Sequence, residues 1–95
     1  MKLANFNLLE TKMPKGVQAI LNFGDYELSV VKNTVSYGGK DGLFEIAVFK
    51  DGKQYEMPGV TQEGDTVKGF LNEDEVDVII KKMFMVTKKE PTQVM

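Results

Sequence analysis

Six carboxylates are concentrated between residues 63 and 77, with Lys68 as the only basic residue among them: Glu63, Asp65, Glu73, Asp74, Glu75 and Asp77. Carboxylate oxygens bind hard cations, and acidic surfaces also pair with basic proteins. A cation site is disfavoured, because Asp65 is not followed by acidic or amide residues at alternate positions and residues 73–75 point around a predicted helix. The cluster is interpreted as a surface that binds a basic protein or imitates a nucleic-acid backbone, or as helix capping and solvation alone.

A glycine-rich segment, Gly38-Gly39-Lys40-Asp41-Gly42, is the second candidate. Backbone N–H groups of such loops can bind phosphate. This segment lacks the phosphate-loop spacing, has no Ser or Thr after its lysine, and leads into a predicted strand instead of a helix. It predicts a hairpin connection whose glycines adopt positive φ.

The chain contains no histidine, cysteine, tryptophan or arginine. Without histidine or cysteine it lacks the commonest general acid–base, the thiolate nucleophile and the usual zinc ligands. Ser29 and Ser36 lie in no nucleophile motif, and no carboxylate pair stands at a catalytic spacing. The sequence therefore predicts a protein that is not an enzyme, with no catalytic residues, no cofactor and no metal.

Binding of single-stranded nucleic acid is a second functional hypothesis. Aromatic side chains on a sheet can stack on bases, and the predicted strand region carries five candidates: Tyr26, Tyr37, Phe44, Phe49 and Tyr55. Against this hypothesis, the formal net charge is −2, there is no arginine, and the lysines are scattered through the sheet region. The aromatic positions also alternate as core residues do, so nucleic acid is an unfavoured partner.

The composition, 42% hydrophobic and 27% charged over 95 residues, indicates one globular domain spanning residues 1–95. No apolar run approaches the roughly 20 residues of a membrane span, and residues 1–7 lack the apolar segment of a signal peptide. With no cysteine, these features predict a cytoplasmic protein with no membrane partner. No internal repeat is evident.

A helix is the clearest element that would position the acidic residues. Asn72 and Glu75 have the spacing of a capping box, and carboxylates in the first turn interact favourably with the helix dipole. Apolar residues follow at the three-and-four spacing of one stripe: Val76, Ile79, Ile80, Met83 and Val86. The pattern predicts a helix from about residue 73 to about residue 86, and a frayed tail from about residue 88 that can be mobile.

Period-two alternation predicts two hairpins. Residues 17–23 and 26–30 flank Gly24-Asp25, and residues 43–49 and 54–57 flank Lys50-Asp51-Gly52-Lys53. Both turns contain the residue types that tight hairpin turns prefer, and apolar residues on both faces of 43–49 indicate a central strand.

Three other segments have weaker signals. Residues 34–37 can extend the second strand or form a strand of their own, residues 66–70 indicate a last strand, and residues 1–15 indicate an edge strand or a packed arm. The predicted fold class is α+β: an antiparallel sheet of four to six strands built from hairpins, with one C-terminal helix packed on it.

Residues 43–49, the stretch Met57-Pro58-Gly59-Val60 and the run 64–71 before the acidic-capped helix resemble small single-domain proteins encoded by tailed phages and prophages. The resemblance implies no activity, cofactor or site. It implies a short, stoichiometric binder that occupies a surface of a host protein.

The sequence thus predicts a non-enzymatic protein-binding module, a phage-encoded modulator or inhibitor of a host protein or defence complex with a basic surface. The expected contact residues are the acidic block and the second hairpin tip: Glu63, Asp65, Glu73, Asp74, Asp77, Lys50, Asp51 and Lys53. Electrostatic steering would bring the partners together, and apolar anchors near the helix would prolong the contact. A structural protein that self-assembles through an edge strand, such as residues 3–9, is the third hypothesis.

Overall fold

The computed structural model describes all 95 residues as an antiparallel sheet with one α-helix on one of its faces. The elements are β1 (Leu9–Lys12), β2 (Lys15–Phe23), β3 (Tyr26–Asn33), β4 (Phe44–Lys50), β5 (Lys53–Gln54), β6 (Val67–Leu71), α1 (Glu73–Thr87) and β7 (Thr92–Gln93). Short 3₁₀ turns lie at Leu3–Asn5 and Gly39–Asp41. The α+β fold class is confirmed. The sheet has seven strands instead of four to six, since two of them contain only two residues.

The three long strands β2, β3 and β4 form the centre of the sheet, and short strands share each of its sides. On the β2 side, β1 pairs with residues 15–18 and β7 pairs with residues 21–22. On the β4 side, β6 pairs with residues 44–47 and β5 with residues 49–50. No helix of the chain has the length and apolar character needed to cross a membrane.

Both predicted hairpins are formed at the expected turns, but the return strand predicted at residues 54–57 is wrong in extent, since β5 contains only Lys53 and Gln54. Phe23 pairs with Tyr26 across Gly24-Asp25, and Lys50 pairs with Lys53 across Asp51-Gly52. Asp51 and Gly52 have φ of 51° and 80°, as a two-residue turn of the Asp-Gly type requires.

The core lies between α1 and one face of the sheet. The sheet contributes mainly the buried alternate residues of the long strands: Ala19, Leu21, Phe23, Leu28, Val30, Phe44, Ile46 and Val48. From the helix come the residues that share its inward stripe: Val76, Ile79, Ile80 and Met83. Met57 and Val60, from the connection between β5 and β6, and Leu3, near the amino terminus, complete this cluster. All three of these residues lie on the helix side of the sheet.

The predicted helix is confirmed, including its cap. Asn72 Oδ1 accepts a hydrogen bond from Glu75 N at 2.8 Å, and Glu75 Oε1 accepts one from Asn72 N at 2.9 Å. The prediction that Val86 belongs to the buried stripe is wrong, since 61% of this residue is exposed. At 3.6 residues per turn, Thr87 is closer than Val86 to the line of Val76, Ile80 and Met83.

Residues 34–37 form a turn, which corrects the prediction of a strand there. Asn33 Oδ1 accepts hydrogen bonds from Val35 N at 2.9 Å and Ser36 N at 2.7 Å. An Asn side chain that bonds to the following backbone in this way competes with the strand ladder, so β3 ends at Asn33.

Both ends of the chain are tied to β2. The amino-terminal segment does form an edge strand, but at Leu9–Lys12, whereas residues 3–5 form a 3₁₀ turn, so the suggested assembly strand at residues 3–9 is not formed. The expected frayed tail is corrected as well, because β7 pairs with the part of β2 that β1 leaves open. Val94 N also donates to Ile20 O at 2.9 Å.

Candidate protein-binding surface

The predicted contact residues lie in separate places. The hairpin tip with Lys50, Asp51 and Lys53 lies beside the first hairpin turn, where Asp51 N donates to Asp25 O at 2.9 Å. The carboxylates of α1 follow Leu71, which pairs with Phe44 at the opposite end of β4. A strand of seven residues is about 20 Å long, so the hairpin tip and the helix start do not form one surface.

The acidic residues are divided further by their local roles. Glu63 and Asp65 are exposed in the turn before β6, and Asp65 Oδ1 accepts from Thr66 N at 2.7 Å. Glu73 and Asp74 are exposed on the first turn of α1. No three acidic residues of the chain come together as ligands for one cation.

Asp77 holds the amino terminus in place. Its Oδ1 accepts a 2.7 Å hydrogen bond from Leu3 N, and its side chain is half-buried. This bond joins α1 to a residue that is itself buried in the core. Asp77 therefore has a structural role that its sequence position did not reveal.

Lys50 folds back over two aromatic rings on the helix side of the sheet. Its Nζ lies 5.4 Å from the ring centroids of both Tyr26 and Tyr55, which meet edge to face at 5.6 Å. Hydrogen bonding to Tyr26, followed by the charges of the Tyr26 and Tyr55 hydroxyls and of Asp51, raises the pKa of Lys50 above 10.5. This lysine is occupied within the chain, unlike the exposed Lys53.

The glycine-rich segment is a connection between β3 and β4, with positive φ at Gly38 and Gly42 as predicted. It packs backbone to backbone against β6. A Cβ added at Gly38 would lie 2.9 Å from Phe70 Cα, and one added at Gly69 would lie 2.3 Å from Tyr37 Cβ. Only glycine allows this close approach, which fixes the relative positions of Tyr37 and Phe70.

Phe70 lies in a β-bulge and has a left-handed backbone. Between the pairs Ile46–Lys68 and Phe44–Leu71, one residue of β4, Glu45, faces two residues of β6. Phe70 has φ of 57°, a conformation that costs a residue other than glycine roughly 1–2 kcal/mol. The bulge directs a large apolar residue to the surface, where 60% of it is exposed.

Tyr37 lies next to Phe70 and is 58% exposed. Its carbonyl accepts a hydrogen bond from Phe70 N at 3.1 Å, and its N–H donates to Glu45 Oε1 at 3.0 Å. We call Tyr37 and Phe70 the aromatic pair. They lie between a groove of about 460 Å³ and another of about 270 Å³. Both residues line both grooves, and the smaller groove also includes Val67 of β6.

The sheet face opposite α1 is covered by no other segment of the chain. We call it the open face. The buried residues of the connections all join the core on the helix side. The cross-strand pairs place six apolar residues on the open face: Leu9, Ile20, Val31, Ala47, Phe49 and Val67. Leu9 is 46% exposed, and the other five are half-buried.

Charge is segregated between the two faces of the sheet. The cross-strand pairs place all the strand lysines on the helix side: Lys12, Lys15, Lys32, Lys50, Lys53 and Lys68. The only charged strand residues on the open face are Glu27 and Glu45. An apolar surface with two carboxylates and no lysine is suited to a partner that carries the opposite charge.

An internal repeat builds the middle of the open face, which corrects the prediction that the chain contains none. Residues 26–31 (YELSVV) and 44–49 (FEIAVF) share the order aromatic, Glu, aliphatic, small, Val, apolar. Because β3 and β4 are antiparallel, a local two-fold axis at the Ser29–Ala47 pair relates the two copies. The axis exchanges Glu27 with Glu45, and the two small residues lie at the centre of the face, where Gln18 Nε2 donates a 3.1 Å hydrogen bond to Ser29 Oγ.

The open face and the aromatic pair form one continuous surface. Glu45 lies on the open face and accepts the Tyr37 N–H, while Val67 lies on the open face and lines the groove beside Phe70. Sequence reasoning missed this surface because it depends on the pairing of strands that are distant in the chain. Comparison with protein-family models, curated proteins and solved structures finds no match to this chain.

Proposed function

We propose that this chain is a non-enzymatic protein-binding module, and that its contact surface is the open face together with the aromatic pair. One observation carries the proposal: Phe70 adopts a costly left-handed conformation on a bulge, yet remains 60% exposed. Strained residues are characteristic of functional sites, and exposed aromatic residues are frequent anchors of protein interfaces.

The character of the surface supports a protein as the ligand. The grooves beside the aromatic pair are open and shallow, whereas small-molecule sites bury most of the ligand. An uncovered apolar sheet face is the kind of surface that proteins use for association. The rigid attachment of Tyr37 and Phe70 to backbone groups reduces the entropy that is lost on binding.

The charge distribution disfavours the nucleic-acid alternative. A nucleic-acid surface needs lysines beside its stacking aromatics to neutralise phosphates. Each groove beside the aromatic pair is lined by one lysine and one carboxylate, Lys40 with Asp41 and Lys68 with Asp65, and Glu45 lies directly beside Tyr37. Phosphates that approached the aromatic pair would therefore meet more carboxylates than lysines.

The biological role that we propose for the module is the one expected from the sequence, a phage-encoded modulator or inhibitor of a host protein or defence complex. A small protein with one apolar binding surface acts by occupying a site on its partner. The partner would present basic residues, since Glu27 and Glu45 are the charges of the open face.

Affinity capture with matched variants tests the proposal. The full chain is immobilised as wild type, as Tyr37→Ala/Phe70→Ala, and as Val86→Ala, which removes a similarly exposed side chain (61%) from α1. We expect a stoichiometric protein that resists nuclease treatment to be retained by wild type and Val86→Ala and lost from the double variant. Equal retention by all three would exclude the aromatic pair, and a nuclease-sensitive ligand would favour nucleic acid.

A further inference from the structure

We propose, on the basis of the proposed function, that the occupant of the open face is an amphipathic α-helix of the partner, with basic residues on both flanks of its apolar stripe. Three features of the open face support this occupant: its width, the positions of its two carboxylates, and the absence of lysine.

The shape of the open face is suited to a helix. Three strands spaced about 4.8 Å apart form a strip about 10 Å wide, similar to the diameter of a helix with side chains. Along the middle of this strip, Ser29 and Ala47 are small, and Gln18 Nε2 donates a hydrogen bond to the buried Ser29 Oγ at 3.1 Å. Larger apolar residues lie around them: Ile20, Val31, Phe49 and Val67. The other face of the same strands already packs against α1 through an apolar stripe. The open face of the sheet is therefore a second surface against which a helix can pack.

The two glutamates specify the charge pattern of that helix. Glu27 and Glu45 lie on neighbouring strands, four residues apart in register, which places their Cα atoms about 14 Å apart at the usual strand rise and spacing. They are on opposite sides of the Ser29–Ala47 pair because the two-fold axis relates them. A helix rises about 1.5 Å per residue, so basic residues about nine positions apart, on opposite flanks of an apolar stripe, would reach both.

Both carboxylates have free capacity for such contacts. Glu27 makes no side-chain hydrogen bond within the chain, and Glu45 uses only Oε1, which accepts from Tyr37 N. A Lys or Arg side chain on the helix would bond to the remaining oxygens. Contact at Glu45 would bring the helix end to the aromatic pair, which lies beside this residue.

A second copy of this chain is a poorer occupant. Two open faces in contact would bring four glutamates together and no lysine, because all the strand lysines lie on the helix side. Like charges juxtaposed in an interface are unfavourable. The same absence of lysine leaves no group to neutralise an acidic peptide.

A pair of synthetic peptides tests the inference on the full chain. Both are amphipathic helices of about 18 residues with the same leucine stripe. One carries Lys on opposite flanks about nine positions apart, and the other carries Glu at the same positions. We expect the Lys peptide to bind wild type about tenfold or more tightly than the Glu peptide at low salt, with a smaller difference at high salt.

Two double variants locate the contact. Glu27→Gln/Glu45→Gln should weaken binding of the Lys peptide about tenfold and remove most of its salt dependence. The control Glu73→Gln/Asp74→Asn removes the same charge from α1 and should leave the affinity unchanged. Amide chemical shifts that change along β2, β3 and β4, and not along α1, would place the peptide on the open face. Equal binding of both peptides, or an effect of the α1 variant alone, would overturn the inference.

The outcomes separate this inference from the proposed function. If neither peptide binds while the aromatic pair still determines capture of a protein partner, the proposal of a helical partner is wrong. The proposal that the chain is a protein-binding module is then retained. If capture is also independent of the aromatic pair, the proposed function fails as well. Dimerisation of wild type that is blocked by Ala47→Lys, with an unchanged circular dichroism spectrum, would identify a second copy as the occupant and overturn the inference.

Discussion

The backbone N–H of Phe70 donates a 3.1 Å hydrogen bond to the carbonyl oxygen of Tyr37. This bond joins the bulge of β6 to the connection that follows β3. On its other side, Tyr37 is held to the open face through Glu45 Oε1. The main chain that carries both aromatic side chains is thus held in place, while the rings remain exposed to a partner. Such an arrangement is preorganised for binding, at the expense of backbone strain at Phe70.

We predict that Phe70→Gly is more stable than Phe70→Ala by about 1 kcal/mol, because only glycine adopts φ near +57° without steric cost. Both variants lack the aromatic ring, so their difference isolates the backbone strain. Urea denaturation of the two proteins measures it. Because both variants lack the aromatic ring, their affinity for the partner should fall by the same factor. The backbone strain would then change the free energy of unfolding without changing binding.

Another left-handed residue, Lys88, provides the control. It ends α1 with φ of 59°, and its N–H donates to Phe84 O at 2.8 Å. Lys88→Gly should also be more stable than Lys88→Ala, but both should retain the partner, because this position is remote from the aromatic pair. Equal stabilities of the Gly and Ala variants at Phe70 would mean that the backbone there relaxes out of the left-handed region.

Asp77 and Asp74 should respond differently to truncation, although both were predicted contact residues. Asp77→Ala leaves Leu3 N without its 2.7 Å acceptor and should cost about 1–2 kcal/mol. Asp74→Ala removes only a favourable interaction with the helix dipole, worth about 0.5 kcal/mol. Denaturant unfolding distinguishes these values, and Asp77→Asn, which retains an acceptor oxygen, should recover most of the loss. Equal effects of the two alanine variants would contradict the structural role of Asp77.

The elements that the sequence predicts best are those whose signals are local. The Asp-Gly turn, the Asn72 cap and the alternation of residues 17–23 each act within a few residues, and all three are present in the structure. The predictions failed where a local side chain or a distant strand decided the outcome. Asn33 stopped β3 by bonding to the next residues, and β7 forms only because β2 has an open edge there.

The candidate surface was less predictable for the same reason. Phe70 follows Gly69, so the sequence favours glycine as the unusual backbone position, whereas the register of β6 places the left-handed conformation on Phe70. The repeat of residues 26–31 in 44–49 can be read in the sequence, but its two-fold arrangement requires the antiparallel register. Grouping acidic residues by sequence position also combined Asp77, which bonds to the distant residue Leu3, with residues such as Asp65, whose side chain bonds only to the adjacent backbone.

The side chain of Gln93 should contribute to stability by joining the two ends of the chain. Gln93 Oε1 accepts from Asn7 N at 2.8 Å, and Gln93 Nε2 donates to Asn7 O. Gln93→Ala removes both bonds to Asn7 and the 3.1 Å bond from Gln93 Nε2 to Met95 O, and should cost about 1–2 kcal/mol, with faster hydrogen exchange at Asn7 N. Gln62→Ala, at an exposed position whose side chain has no partner within the chain, should change stability by less than about 0.5 kcal/mol. Similar effects of the two variants would mean that the ends are joined by backbone pairing alone.

Lys50 should keep its proton to a higher pH than an unperturbed lysine. Hydrogen bonding to Tyr26, and then the charges of the tyrosine hydroxyls, raise its pKa above 10.5 in the folded protein. The interaction of protonated Lys50 with these groups stabilises the folded protein. This contribution to the free energy of unfolding is fully present below pH 10.5 and is lost as the pH rises through the folded-state pKa of Lys50. An NMR titration of the Lys50 side chain should give a midpoint above 10.5, and Tyr26→Phe should lower it while retaining the ring beneath Nζ. Tyr37→Phe removes a hydroxyl at the other end of the sheet and should leave the midpoint unchanged. A midpoint at or below 10.5 in the wild type would show that Lys50 extends into solvent and is free to contact a partner.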